Sequence, residues 1–96
     1  MVSMKKVEII FEAVYLTRLL ELFKRHNIKG YTLIREIEGC GAHGLMSADV
    51  GFDVSSNDYL YTVCENDKFE EMKEEIRSFT HKYGGKCFVT DAMMLK

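Results

Sequence analysis

Apolar and polar positions alternate at the start of the chain. In "KKVEIIFEAV" Val7, Ile9 and Phe11 are interleaved with Lys6, Glu8 and Glu12, the period of a strand, and Ile10 makes the second face partly apolar, as in a central strand. From about Ala13 the period lengthens. Leu16, Leu19, Leu20 and Phe23 form an i, i+3, i+4, i+7 stripe, with Lys24 and Arg25 in the last turn where cations suit the helix dipole, and Gly30 is expected to close this helix and its turn. "YTLIREIEG" then reads as a second strand and "YLYTVCE" as a third.

The second helix has the clearest pattern. Asp67 with Glu70 suggests a capping-box start, Phe69, Met72, Ile76, Phe79 and Tyr83 form the buried stripe, and Gly84-Gly85 supplies the stop. "KCFVTDAMML" makes a fourth strand. The order βαββαβ within residues 1–96 predicts one α+β domain of ferredoxin-like form: a four-stranded antiparallel sheet with both helices on one face and a long loop between strands two and three. Ile10, Ile34, Tyr59 and Tyr61 are left on the uncovered face, which predicts a homo-oligomer with clefts between subunits.

The loop interrupts the periodicity. "EGCGAHGLMSADVGFDVSSND", residues 38–58, runs about twenty residues where connections in small domains run about 4–6, and it holds Gly39, Gly41, Gly44 and Gly51. A loop that long is a functional element or a disordered one, and its place at the tip of the central hairpin favours a signalling loop.

Composition narrows the classes. With 47% hydrophobic residues and a formal charge of −2, the chain is an ordinary globular protein rather than a basic nucleic-acid binder. Glu8 and Glu12 break the apolar run "VEIIFEAVYL", which excludes a signal-peptide core or membrane span there and makes a cytoplasmic protein the expectation. Cys40, Cys64 and Cys87 are an odd number without C-x-x-C spacing and fit free thiols, the last two as small core residues.

Candidate chemistry is sparse. Cys40, His43 and Met46, at i, i+3, i+6, are soft donors of the kind that hold Cu(I), and Cys40 between glycines is a candidate oxidisable thiol. The plainer reading of all three is a loop. His26 and His81 are expected to be solvated, as is the charge run "EEMKEEIR", and Met93, Met94 and Leu95 read as sheet or interface packing. No nucleophile–base, P-loop or metal-hydrolase spacing occurs, so no enzyme is predicted and no catalytic residue named. Lys86 stands just after two glycines at a helix-to-strand junction, where backbone N–H groups can approach a phosphate and a lysine adds charge.

These features resemble the PII signal-transduction proteins over nearly the whole chain. "MKKVEIIFEAVYLTRLLELFKRHNIKGYTLIREIEGCG" is similar to their opening strand, helix, Gly-x-Thr, second strand and the Gly-x-Gly at the base of the T-loop, and "YGGKCFV" is similar to their B-loop and last strand. The resemblance implies a homotrimer that binds an adenine nucleotide as effector in its inter-subunit clefts, with no covalent cofactor. By the same resemblance Thr32, Gly39, Gly41, Gly84, Gly85 and Lys86 contact the nucleotide. His43, Leu45, Met46, Asp49 and Phe52 would meet a partner protein, with a membrane transporter as the candidate partner.

Departures shift the expectation toward divergent PII-like members, nearer to those linked to bicarbonate transport or carboxysomes. Ala42-His43 replaces the Arg-Gln pair after the Gly-x-Gly, the "RGAEY" segment is absent, and Gly30 to Gly39 is one residue longer than in the nitrogen regulators. The B-loop is contracted to "YGGK", and the chain ends at Lys96 without the arginine-bearing tail that clamps triphosphates. Fewer cations point to AMP or ADP, or to another ligand. The alternatives are a copper-type metal-binding trimer using Cys40, His43 and Met46, and an ACT-like small-molecule sensor.

Overall fold

A computed structural model of the chain describes the backbone of residues 1–41, 44–45 and 56–96 and the side chains of residues 1–39 and 56–96. The expected α+β architecture is present. Strand β1 (Val2–Glu12) leads through a 3-10 turn (Ala13–Tyr15) into α1 (Leu16–Arg25), then β2 (Thr32–Ile37), a short hairpin of β3 (Cys40–Gly41) and β4 (Gly44–Leu45), β5 (Asn57–Cys64), α2 (Asn66–Tyr83) and β6 (Lys86–Met94). The main sheet is ordered β2-β5-β1-β6 with antiparallel pairing throughout, so β1 is central as its two-faced pattern required.

Val7, Ile9 and Phe11 of β1 and Leu60 and Cys64 of β5 are buried with Leu19, Leu22 and Phe23 of α1 and Met72, Ile76 and Phe79 of α2. Leu22 lies outside the expected stripe. Three residues after Leu19, it shares that residue's helix face and is buried with it. Burial of side chains this size stabilises the fold by about 1.5–3 kcal/mol each.

Both helix-end assignments on one side of the fold differ from expectation. The first helix closes at Asn27, not Gly30: Asn27 adopts a left-handed φ of 60°, and the Ile28 N–H donates to the Phe23 carbonyl at 2.9 Å, the Schellman arrangement. Helix α2 starts at Asn66 with Glu65 as its N-cap and no side-chain cap, so Asp67 sits inside the first turn instead of capping it. Strand β5 begins at Asn57, which turns the last two residues of the expected loop into buried strand residues.

Candidate functional site

The turn between α2 and β6 is built by its glycines. Gly84 takes φ 81°, and its N–H donates to the Thr80 carbonyl at 2.9 Å, closing the helix. A Cβ on Gly85 would lie 2.6 Å from the Ile10 carbonyl oxygen, so only glycine lets the chain pass this close to β1. Lys86 then enters β6 exposed to solvent and opposite Ile10. Tyr83, just before the turn, packs against Tyr15 with ring centres 4.3 Å apart, and Arg18 and Lys82 each sit 5.5 Å from its ring centre. Neither cation was anticipated; Lys82 adjoins Tyr83 in the sequence, whereas Arg18 reaches it only once α1 and α2 are packed.

The base of the long loop is at the other edge. Thr32 is exposed and faces Tyr61, Ile37 faces Asn57, and Gly39 follows directly before the hairpin that pairs Cys40 with Leu45 and Gly41 with Gly44. Between Ile34 and Ile37 the register slips, so Arg35 and Glu36 together oppose Asp58: a β-bulge. Asp58 is fully buried; Oδ1 accepts the Glu36 N–H at 3.0 Å, while Oδ2 lies 3.3 Å from Arg35 Nε without the alignment of a hydrogen bond. Among the expected loop residues, His43, Met46, Asp49 and Phe52 lie outside the described residues, as do the side chains of Cys40 and Leu45.

The two halves of the expected site emerge at the same end of the sheet but on opposite edges. One cross-strand row runs Ile34, Tyr59, Ile10, Lys86, and the next runs Thr32, Tyr61, Glu8, Phe88. Three inter-strand gaps separate β2 from β6, about 14 Å at the usual spacing. Among the described residues, grooves of 250–290 Å³ lie beside the helices and at the end of α1, and these are not lined by Thr32, Gly39, Gly84, Gly85 or Lys86. The rows lie on the face without helices, where Ile34 and Phe88 are 50% and 55% exposed. There Tyr59 donates to Glu8 at 2.6 Å, a bond that, with partial burial and the Glu8 charge, pushes the phenol up to about 12, and the Lys6 ammonium sits 4.7 Å from the Tyr61 ring centre.

Comparison with known proteins bears on this arrangement. The family profile of the nitrogen regulatory protein P-II matches residues 4–95. The chain belongs to the P-II family. A solved structure of CPII, a nitrogen regulatory PII-like protein from Thiomonas intermedia bound to ADP, AMP and bicarbonate, is 24% identical, with 97% of this chain and 89% of that chain covered and a TM-score of 0.84. CPII bound to ADP and bicarbonate is 25% identical at the same coverage with a TM-score of 0.82. A PII-like signalling protein from Thermus thermophilus is 24% identical, with 95% and 87% covered and a TM-score of 0.71. No curated protein matches the chain.

The two cysteines whose side chains are described are withdrawn from solvent. Cys64 is buried and Cys87 partly buried; burial raises both thiols, Cys87 to about 11, so they stay protonated at neutral pH. No cluster of three His, Cys, Asp or Glu side chains that can hold a metal occurs among the described residues, and His43 and Met46 fall outside them. His26 is not solvated as expected: its side chain is 12% exposed, and Nε2 bonds Glu75 at 2.7 Å. No helix among the described residues is long and apolar enough to cross a membrane.

Proposed function

We propose that this P-II protein is a non-enzymatic regulator that assembles as a homotrimer, binds AMP or ADP between subunits and controls a partner protein through the loop of residues 39–57. The observation that carries the reading is the Gly84–Lys86 turn, pressed onto β1 at Gly85, with an exposed lysine at the start of an edge strand. Backbone N–H groups and an ammonium at such a turn suit a phosphate. Lys86 and the loop base are too far apart in one chain to hold one mononucleotide, whereas a second copy with its β2 edge toward this β6 edge brings them to one cleft. The uncovered apolar face supplies the surface for that contact.

Bicarbonate joins the nucleotides as a candidate effector, because CPII carries both. Thr32, Gly39, Gly41, Gly84, Gly85 and Lys86 remain the proposed nucleotide contacts. Effector and partner are coupled only if nucleotide affinity differs between loop states. A membrane transporter is the candidate partner, with a cytoplasmic site of action. Calorimetric titration of the oligomer with AMP, ADP, ATP and cyclic nucleotides, with and without bicarbonate, tests the reading. Saturable heat with AMP or ADP is expected; a trimer that takes up none of them refutes it.

A further inference from the structure

Asp58 is the one acidic or basic side chain buried among the described residues, and its surroundings give that burial a purpose. A carboxylate is costly to bury unless charge and hydrogen bonds compensate. Here the compensation comes from two consecutive residues of β2. The bulge turns the Glu36 N–H out of the ladder, and Asp58 Oδ1 accepts it at 3.0 Å; Arg35 Nε lies 3.3 Å from Oδ2.

Glu36 holds φ 58°, a left-handed conformation that is costly for glutamate, unlike glycine or asparagine, and that its surroundings here sustain. Glycines stand nearby at 39 and 41, yet the strained position carries glutamate, and its amide is the one that Asp58 holds. A bulge bends its strand, so the bend made here directs the chain that continues through Glu38 to Gly39.

We propose that Asp58, with Arg35, is the latch that holds the bulge and sets the direction in which the chain leaves β2 toward the nucleotide cleft. Asp58 touches no ligand; it is a positioning residue acting through the Glu36 backbone. This rests on the nucleotide-sensing reading for its consequence and on the bulge geometry for its mechanism. Asp58 favours one arrangement of the loop base, and a nucleotide seated on Gly39 then binds a base already formed.

The test compares wild type, Asp58→Asn, Asp58→Ala and Asp58→Ala/Glu36→Gly, each at a temperature well below its own melting. Two quantities are read: hydrogen exchange of the Glu36 amide and AMP or ADP affinity. Asn retains an oxygen for the Glu36 N–H, so its exchange stays near wild type, whereas Ala accelerates exchange about tenfold or more and weakens affinity about tenfold. Adding Glu36→Gly relieves the strained φ and restores affinity without restoring amide protection, a split that loss of packing at residue 58 does not produce. Wild-type exchange and affinity in folded Asp58→Ala overturn the latch. So does a double variant that stays as weak as the single one. If Asp58→Ala does not fold, Arg35→Gln, at a side chain 58% exposed, takes its place. Faster Glu36 exchange supports the latch and an unchanged rate overturns it. A wild type that binds no nucleotide fails the sensing reading, and the exchange comparison still decides the latch.

Discussion

At the scale of single residues, the glycines divide into those the backbone needs and those it does not. A Cβ on Gly85 would lie 2.6 Å from the Ile10 carbonyl oxygen, so Gly85→Ala forces the turn away from β1 and costs about 1–3 kcal/mol. Gly84→Ala pays the left-handed penalty of about 1–2 kcal/mol at φ 81°. Gly30 has open space around it and an ordinary φ, so Gly30→Ala is neutral. Thermal melts of the three variants should rank accordingly, with Gly85→Ala lowered by about 5 °C or more. Gly85→Ala melting with Gly30→Ala would show that the turn yields. The Gly84-Gly85 stop was legible in the sequence because a doubled glycine follows a complete apolar stripe. The end of α1 was not: Asn and Gly both tolerate the left-handed region, and Asn27 comes first. Asp58 was hidden for a related reason. Asn-Asp reads as a turn, although Asp58 shares the two-residue period of Leu60, Thr62 and Cys64, the buried side of β5.

At the scale of elements, strand order and helix stripes follow from local periodicity, while contacts between elements depend on how they are placed. The charge run on α2 shows both. Lys73 with Glu70 and Arg77 with Glu74 pair three residues apart along the exposed helix, as a solvated face should. Glu75 instead leaves its own helix and accepts from Arg25 Nη2 at 2.7 Å, with His26 Nε2 also at 2.7 Å, tying the end of α1 to the middle of α2. The Arg25 hydrogen bond, then that of His26, holds the Glu75 carboxyl below its ordinary value of 4.5. A carboxyl depressed in the folded state adds stability that is fully present above 4.5 and is lost as pH falls through its folded value. Wild type should therefore melt above Glu75→Gln at about pH 5.5, by a small margin because the pair is exposed, and the margin should close toward about pH 3. Melting curves across that range check the sign. A margin that widens with acid would show that the carboxylate is not what joins the helices. The register slip in β2 belongs to this scale too: a bulge is defined by its partner strand, so no reading of "YTLIREIEG" alone reveals it.

At the scale of the whole molecule, one side of the sheet is closed by two helices and the other is left uncovered, with large apolar side chains among its polar ones. Ile34 and Phe88 stand on that open side in neighbouring cross-strand rows, on the β2 and β6 edges respectively, and both are at least half exposed. The isolated chain gains little from their side chains, so Ile34→Asp and Phe88→Asp should cost its fold at most about 1 kcal/mol each in strand preference. An assembly that buries this face meets the same substitutions as unpaired charges at its centre, a far larger penalty. The proposed trimer therefore predicts a separation of effects. Light-scattering mass should be three times the 11.1 kDa of one chain for wild type and fall to 11.1 kDa for the double variant, whose circular dichroism remains folded. Nucleotide binding should disappear with the assembly although Gly84, Gly85 and Lys86 are untouched, because the β2 and β6 edges of one chain lie about 14 Å apart. A folded monomer that still binds AMP or ADP with wild-type affinity would place the whole nucleotide site within one subunit and leave the open face without a part in sensing.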